Sequence, residues 1–329
     1  MDRGRESERP YRVVAIGGGD GLHALVRGLV ADRAEVTAIL TVADDGGSSG
    51  RLRKEFDIPP PGDIRRCLVA LSQADPLIGE LFEYRFTDAY LKGHSFGNLF
   101  IAVLTQLSGD FRQAIERARE LLGASGRVIP ATDRKVVLVA EHRDGSKSTG
   151  QQAIAQSGKP IAAIRLVPRP PSVSEEIREA LAQADLICVG PGSLYTRIAP
   201  NLLVPGMVEA INASKAPVVW VANLMTQPGE TDGYSAADHL RVFQEFRPAL
   251  RIDRILVPSE APGEAQRELY AGSGAEFVDY EGRLGPRAPE VVARPFIASG
   301  DKVRHDPRQL AAALLGLLGD RQRSLEAAD

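Results

Sequence analysis

The apolar run Tyr11-Arg12-Val13-Val14-Ala15-Ile16 breaks off into three consecutive glycines, Gly17-Gly18-Gly19, and no other stretch constrains the fold as strongly. A short apolar run that ends in glycine reads as a buried strand entering a tight turn. From Gly21 onward Leu22, Leu25, Val26 and Leu29 return every three or four positions, the period of an amphipathic helix. Residues 35–43 (EVTAILTVA) then read as a second strand. Strand, glycine turn, helix and strand in about 35 residues make a βαβ unit with a right-handed crossover.

The alternation continues downstream. Residues 135–141, 161–167, 185–189, 217–222 and 252–257 read as strands, with helical stretches at 174–184 and 203–214. This predicts an α/β fold, Rossmann-like and doubly wound, with a mainly parallel sheet. Residues from about 62 to 124 break the rhythm, because 63–72, 76–86, 95–107 and 111–122 all carry helical periodicity. They predict a helical insertion over one side of the sheet crevice. A last helix from 307 to about 321, with Leu310, Leu314, Leu317 and Leu318 on one face, is expected to dock on the core. Residues 1–10 are rich in charge and predict a flexible tail before a single domain over 11–329, with surface loops at 168–171 and 263–286.

Composition removes several function classes. Lys plus Arg number 40 against 43 Asp plus Glu, a net charge of -3. With no long basic tract, nonspecific nucleic-acid binding is not expected. The N-terminus is charged where a secretory signal is apolar, and no apolar run approaches the roughly 20 residues of a membrane span. The expectation is a cytoplasmic protein with no membrane span. Cys67 and Cys188 have no Cys or His at ligand spacing, which argues against a disulfide framework or zinc knuckle.

The candidate chemistry sits where strands end. Gly17, Gly18, Gly19, Asp20 and Gly21 open the first helix, where backbone N–H groups and the positive helix end can hold a phosphate. Gly19, Gly21 and Ala24 also fit a loose dinucleotide fingerprint, which admits an NAD-like ligand. Asp20 can cap the helix, yet its charge opposes a phosphate unless the carboxylate turns away or a cation intervenes. The second strand runs into Asp44-Asp45-Gly46-Gly47-Ser48-Ser49-Gly50-Arg51. Asp44 and Asp45 could accept from a ribose or hold hydrated Mg²⁺, and Arg51 could fork onto a phosphate.

Further along, Asp63 in the run PPPGDIRR can cap a helix or touch substrate, and His94 and Asn98 stand four apart before an apolar helix. A second strand-to-helix glycine turn, with Gly192 and Ser193, precedes Asn201. The strand at 217–222 ends in Asn223, and Arg304 lies among charged residues before the last helix. Three strand-end loops are thereby expected to face one crevice.

Together GGGDGL, TVADDGGSSGRLR, PPGDIRRCL, HSFGN, GPGSLYT with PNLLV, and NLMTQPGET resemble the YvcK family of gluconeogenesis factors, within the wider CofD-like superfamily. The resemblance runs from about Tyr11 to the region of Arg304. It implies a Rossmann-like fold and binding of a UDP-sugar, UDP-N-acetylglucosamine in particular. It also implies a role in growth on gluconeogenic carbon and in cell shape, through the supply of peptidoglycan precursors. CofD itself is a Mg²⁺-dependent transferase that moves a phospholactyl group from a guanosine-linked donor onto a deazaflavin, which sets the alternative reading for this chain. The family usually has Thr where Asp20 stands, and matching its motifs raises Asp44, Asp45, His94, Asn98, Asn201, Asn223 and Arg304 as site residues. A regulator of this kind is expected to meet an unidentified protein partner or a second copy of itself as a homodimer.

Overall fold

The computed structural model describes residues 9–326 apart from 248, 273 and 281–288. It opens with β1 (Arg12–Gly17), α1 (Gly19–Ala31) and β2 (Glu35–Leu40). Val13 to Ile16 are all buried, as in a strand covered by helices on both faces. β2 stops at Leu40 rather than 43, because the Ala43 N–H turns back onto the Thr41 hydroxyl at 3.2 Å. Five helices follow: α2 (Gly47–Glu55), α3 (Gly62–Leu71), α4 (Pro76–Glu83), α5 (Phe96–Ser108) and α6 (Phe111–Leu121). Asp75, Ser95 and Asp110 start α4, α5 and α6 by accepting from Leu77, Asn98 and Gln113 backbone N–H groups. The chain then returns to the sheet at β3 (Arg127–Pro130).

β4 (Val137–His142) and β5 (Lys147–Thr149) form a hairpin, and after α7 (Gln151–Gln156) the strand β6 (Ile161–Val167) returns antiparallel to β4. Residues 135–141 and 161–167, expected in the parallel sheet, build a separate antiparallel sheet of order β5-β4-β6. Apolar runs do not specify which sheet a strand joins, whereas a connection as short as residues 143–146 permits only an antiparallel pair.

The parallel sheet resumes with α8 (Glu175–Ala182) and β7 (Leu186–Val189). A π-helical turn at Leu194–Ile198 runs into α9 (Ala199–Leu202), followed by α10 (Met207–Ala213) and β8 (Val218–Val221). Then come α11 (Ala236–Phe246), β9 (Arg254–Pro258), α12 (Glu264–Ala271), β10 (Glu290–Arg294) and α13 (Pro307–Glu326). The expected loop at 263–286 contains α12, and its residues from 281 lie outside those described. Residues 1–8 of the expected tail also lie outside them, whereas Arg9 is held by Asp185 through contacts of 2.7 and 2.9 Å.

The main sheet has the order β3-β2-β1-β7-β8-β9-β10, with every pair parallel. The chain winds outward from β1 to β3, crosses back, and winds the other way from β7 to β10. The reversal between β1 and β7 opens a crevice at the C-terminal strand ends, the place where such sheets bind ligands. α13 closes the fold over α1 and buries Leu310, Leu314, Leu317 and Leu318. The crossing is so close that a Cβ on Gly28 would lie 1.8 Å from the Pro307 carbonyl oxygen. Among the described residues no helix is long and apolar enough to cross a membrane.

Candidate functional site

The crevice is assembled by backbone contact between two glycine turns. Ile16 of β1 pairs with Val189 of β7, and the Gly190 N–H donates to the Ile16 carbonyl at 2.8 Å. Beyond this pair the turns touch: a Cβ on Gly192 would lie 2.9 Å from the Gly18 carbonyl oxygen, and one on Gly21 would lie 3.0 Å from the Pro191 ring. Gly19 has φ +77°, a conformation that costs a residue with a Cβ and suits glycine. The third strand end joins through the Gly192 N–H, which lies 3.4 Å from Asn223 Oδ1. The turns after β1, β7 and β8 therefore share one crevice.

Charge is concentrated at its floor. The Gly19 N–H, at the start of α1, donates to Asp63 Oδ2 at 3.1 Å, and Arg197 Nη1 donates to the same oxygen at 2.5 Å. Arg197 Nη2 is 3.8 Å from Asp44 Oδ1, and His23 Nε2 is 3.9 Å from Asp63 Oδ1. Nearby, the Thr196 hydroxyl donates to Glu230 at 2.8 Å. Burial raises the pKa of Asp44 and of Glu230, with Arg197 opposing the rise in both. Burial lowers His23 to about 4 although Asp63 opposes it, so its imidazole is neutral at pH 7. Burial also works against the Arg197 charge, but Asp63, Asp44 and Glu230 outweigh it and the pKa is raised.

Several residues singled out in the sequence have partners of their own. Asp20 is largely exposed and pairs with Arg66 of α3, and its charge still acts on His23 and Arg197. Asp45 Oδ1 accepts from the Gln152 N–H at 3.0 Å and caps α7, whose own N-cap, Gly150, has no side chain. Arg51, read as the end of a loop, lies in α2 and donates to the Lys92 carbonyl at 2.8 Å. His94 and Asn98 are buried and meet at Ser48 Oγ, at 3.2 and 3.1 Å, in the first turn of α2. Arg304 is exposed, and its carbonyl accepts from the Ala298 N–H at 2.8 Å.

Others brace the turns. Asn201 is fully buried and donates to the carbonyls of Gly17 at 3.0 Å and Arg197 at 2.7 Å, tying the two turns together. Ser193 Oγ accepts from Gln227 at 2.7 Å, and the Asn223 carbonyl accepts from the Tyr280 hydroxyl. Arg197 was missed in the sequence, where it stands one residue past GPGSLYT. Asp63 appeared there as a helix cap or substrate contact. It does not cap α3, which begins at Gly62; from the first turn of that helix its carboxylate accepts from Gly19 of α1 and from Arg197.

The two adjacent aspartates take different partners. Asp44 faces Arg197, Asp45 faces α7, and no group of three His, Cys, Asp or Glu among the described residues could hold a metal. A groove of about 510 Å³ lies apart from the crevice, along β3 and the start of α6. Its Arg112 and Arg127 are held by Glu176.

Fold and turn contacts define a Rossmann-like α/β protein whose strand-end glycine turns meet at the point where the winding reverses. The sequence model described as 2-phospho-L-lactate transferase CofD matches residues 13–297, and the chain belongs to the CofD family. It is 45% identical over 307 residues to a protein of Halalkalibacterium halodurans named gluconeogenesis factor, covering 92% of this chain and 95% of that one. A Bacillus subtilis gluconeogenesis factor is 43% identical over 311 residues, covering 93% and 98%. A Bacillus halodurans crystal structure, described as a member of the UPF0052 family, superposes with a TM-score of 0.90 at 44% identity. It covers 94% of this chain and 100% of that one.

Proposed function

We propose that the protein is a nucleotide-sugar-binding regulator whose ligand resembles UDP-N-acetylglucosamine. The observation that carries this reading is the contact between the turns at Gly18 and Gly192, with Arg197 beside them. Backbone amides, a helix N-terminus and one arginine suit a diphosphate. Occupancy then shifts a surface that meets a protein partner or a second copy of the chain. In the cell this regulates carbon flux during gluconeogenic growth, peptidoglycan precursor supply and shape. A Mg²⁺-dependent phospho-group transfer is less favoured, because Asp45 is committed to α7 rather than to the crevice. Calorimetric titration with UDP-N-acetylglucosamine tests the reading. Heat of binding and a thermal shift at millimolar ligand are expected, and the absence of both rejects it.

A further inference from the structure

The start of α1 already holds an anionic oxygen. Asp63 reaches it from α3, 44 positions along the chain, and its Oδ2 accepts from both the Gly19 N–H and Arg197. The approach depends on glycine, since a Cβ on Gly18 would lie 2.8 Å from that oxygen. A phosphate seated at the same helix end calls on the same two donors.

We infer that the Asp63 carboxylate and the ligand's phosphate compete for Gly19 N–H and the Arg197 guanidinium, making Arg197 the cation that changes hands on binding. This rests on the nucleotide-sugar reading and names the residues that set its affinity for phosphate. Charge supports the exchange: Asp44, Asp63 and Glu230 all act on the one guanidinium of Arg197. Adding a phosphate there without moving a carboxylate stacks like charges. The structure also offers a receiver. His23 Nε2 is buried without a hydrogen-bond partner, 3.9 Å from Asp63 Oδ1, so a small rotation of the Asp63 side chain would join them. α3 itself stays in place, because Arg65 donates to the Phe82 carbonyl and pairs with Glu83, while Arg66 pairs with Asp20. The switch is confined to one side chain.

The test is calorimetry with inorganic pyrophosphate and with UDP-N-acetylglucosamine on the wild type, Asp63→Asn, Arg197→Gln and His23→Phe, with melting curves recorded for each. Asp63→Asn should bind pyrophosphate about tenfold more tightly, the loss of one charged competitor. Arg197→Gln should bind it at least about tenfold more weakly, and His23→Phe several-fold more weakly. A folded Asp63→Asn protein with unchanged or weaker affinity overturns the inference. Should Asp63→Asn fail to fold, Arg197→Gln decides, and unchanged pyrophosphate binding there overturns it. Pyrophosphate binding that follows this pattern without any UDP-sugar binding leaves the competition standing and rejects the UDP-sugar reading.

Discussion

His23 is a histidine kept neutral by its surroundings. Burial lowers its pKa from 6.5 to about 4, so the folded state resists its protonation more than the unfolded chain does. Its contribution to stability is complete above pH 6.5 and is lost as pH falls through about 4, on the order of 3 kcal/mol. Asp44 and Glu230, with raised values, act in the opposite sense, since their protonated forms are favoured in the fold as pH falls. Comparing urea unfolding of wild type and His23→Gln at pH 7, 5.5 and 4 isolates the histidine. The wild type should lose about 3 kcal/mol more than the variant across that range; parallel profiles would contradict the assignment. At this scale the sequence was partly legible. Gly17, Gly18, Gly19, Gly21 and Gly192 announced close backbone approach, and in the fold a left-handed φ at Gly19 or the lack of room for a Cβ at Gly18, Gly21 and Gly192 accounts for them. Arg197 announced nothing: an arginine in a short helical turn looks like any surface cation until Asp63 and Asp44 are placed around it. Asn201 was singled out in the sequence but not as a brace, which depends on two carbonyls from different turns.

Asp45 shows the same point for elements. Its carboxylate ties the loop after β2 to the start of α7, linking the parallel sheet to the small antiparallel one. Removing a capping side chain costs about 1 kcal/mol. Asp45→Ala is therefore expected to lower unfolding stability by about that amount and leave UDP-N-acetylglucosamine affinity within about twofold, since its carboxylate is taken by the Gln152 N–H; a folded variant that has lost binding would place Asp45 in the site. The buried parallel strands were readable because continuous apolar runs between helices have few other homes. The small sheet was misplaced because β4 and β6 carry similar runs, although Asp144-Gly145 marked the hairpin. α11 was also marked, by Ser235 and Asp238, which form a capping box at its start. α2 was hidden by Gly47, Ser48, Ser49 and Gly50, residues that favour turns and here open a helix.

For the whole molecule, one topological fact organises the rest: the winding reverses between β1 and β7, and that reversal alone brings turns about 170 residues apart into contact. The proposed regulator binds the diphosphate of a nucleotide sugar at this contact. A crystal structure with UDP-N-acetylglucosamine tests it most directly. Phosphate oxygens are expected within hydrogen-bond distance of the Gly18 or Gly19 and Gly192 or Ser193 amides, with Arg197 turned from Asp63 to the phosphate. A nucleotide found elsewhere, such as in the groove along β3 and α6, with Arg197 still on Asp63, would contradict it.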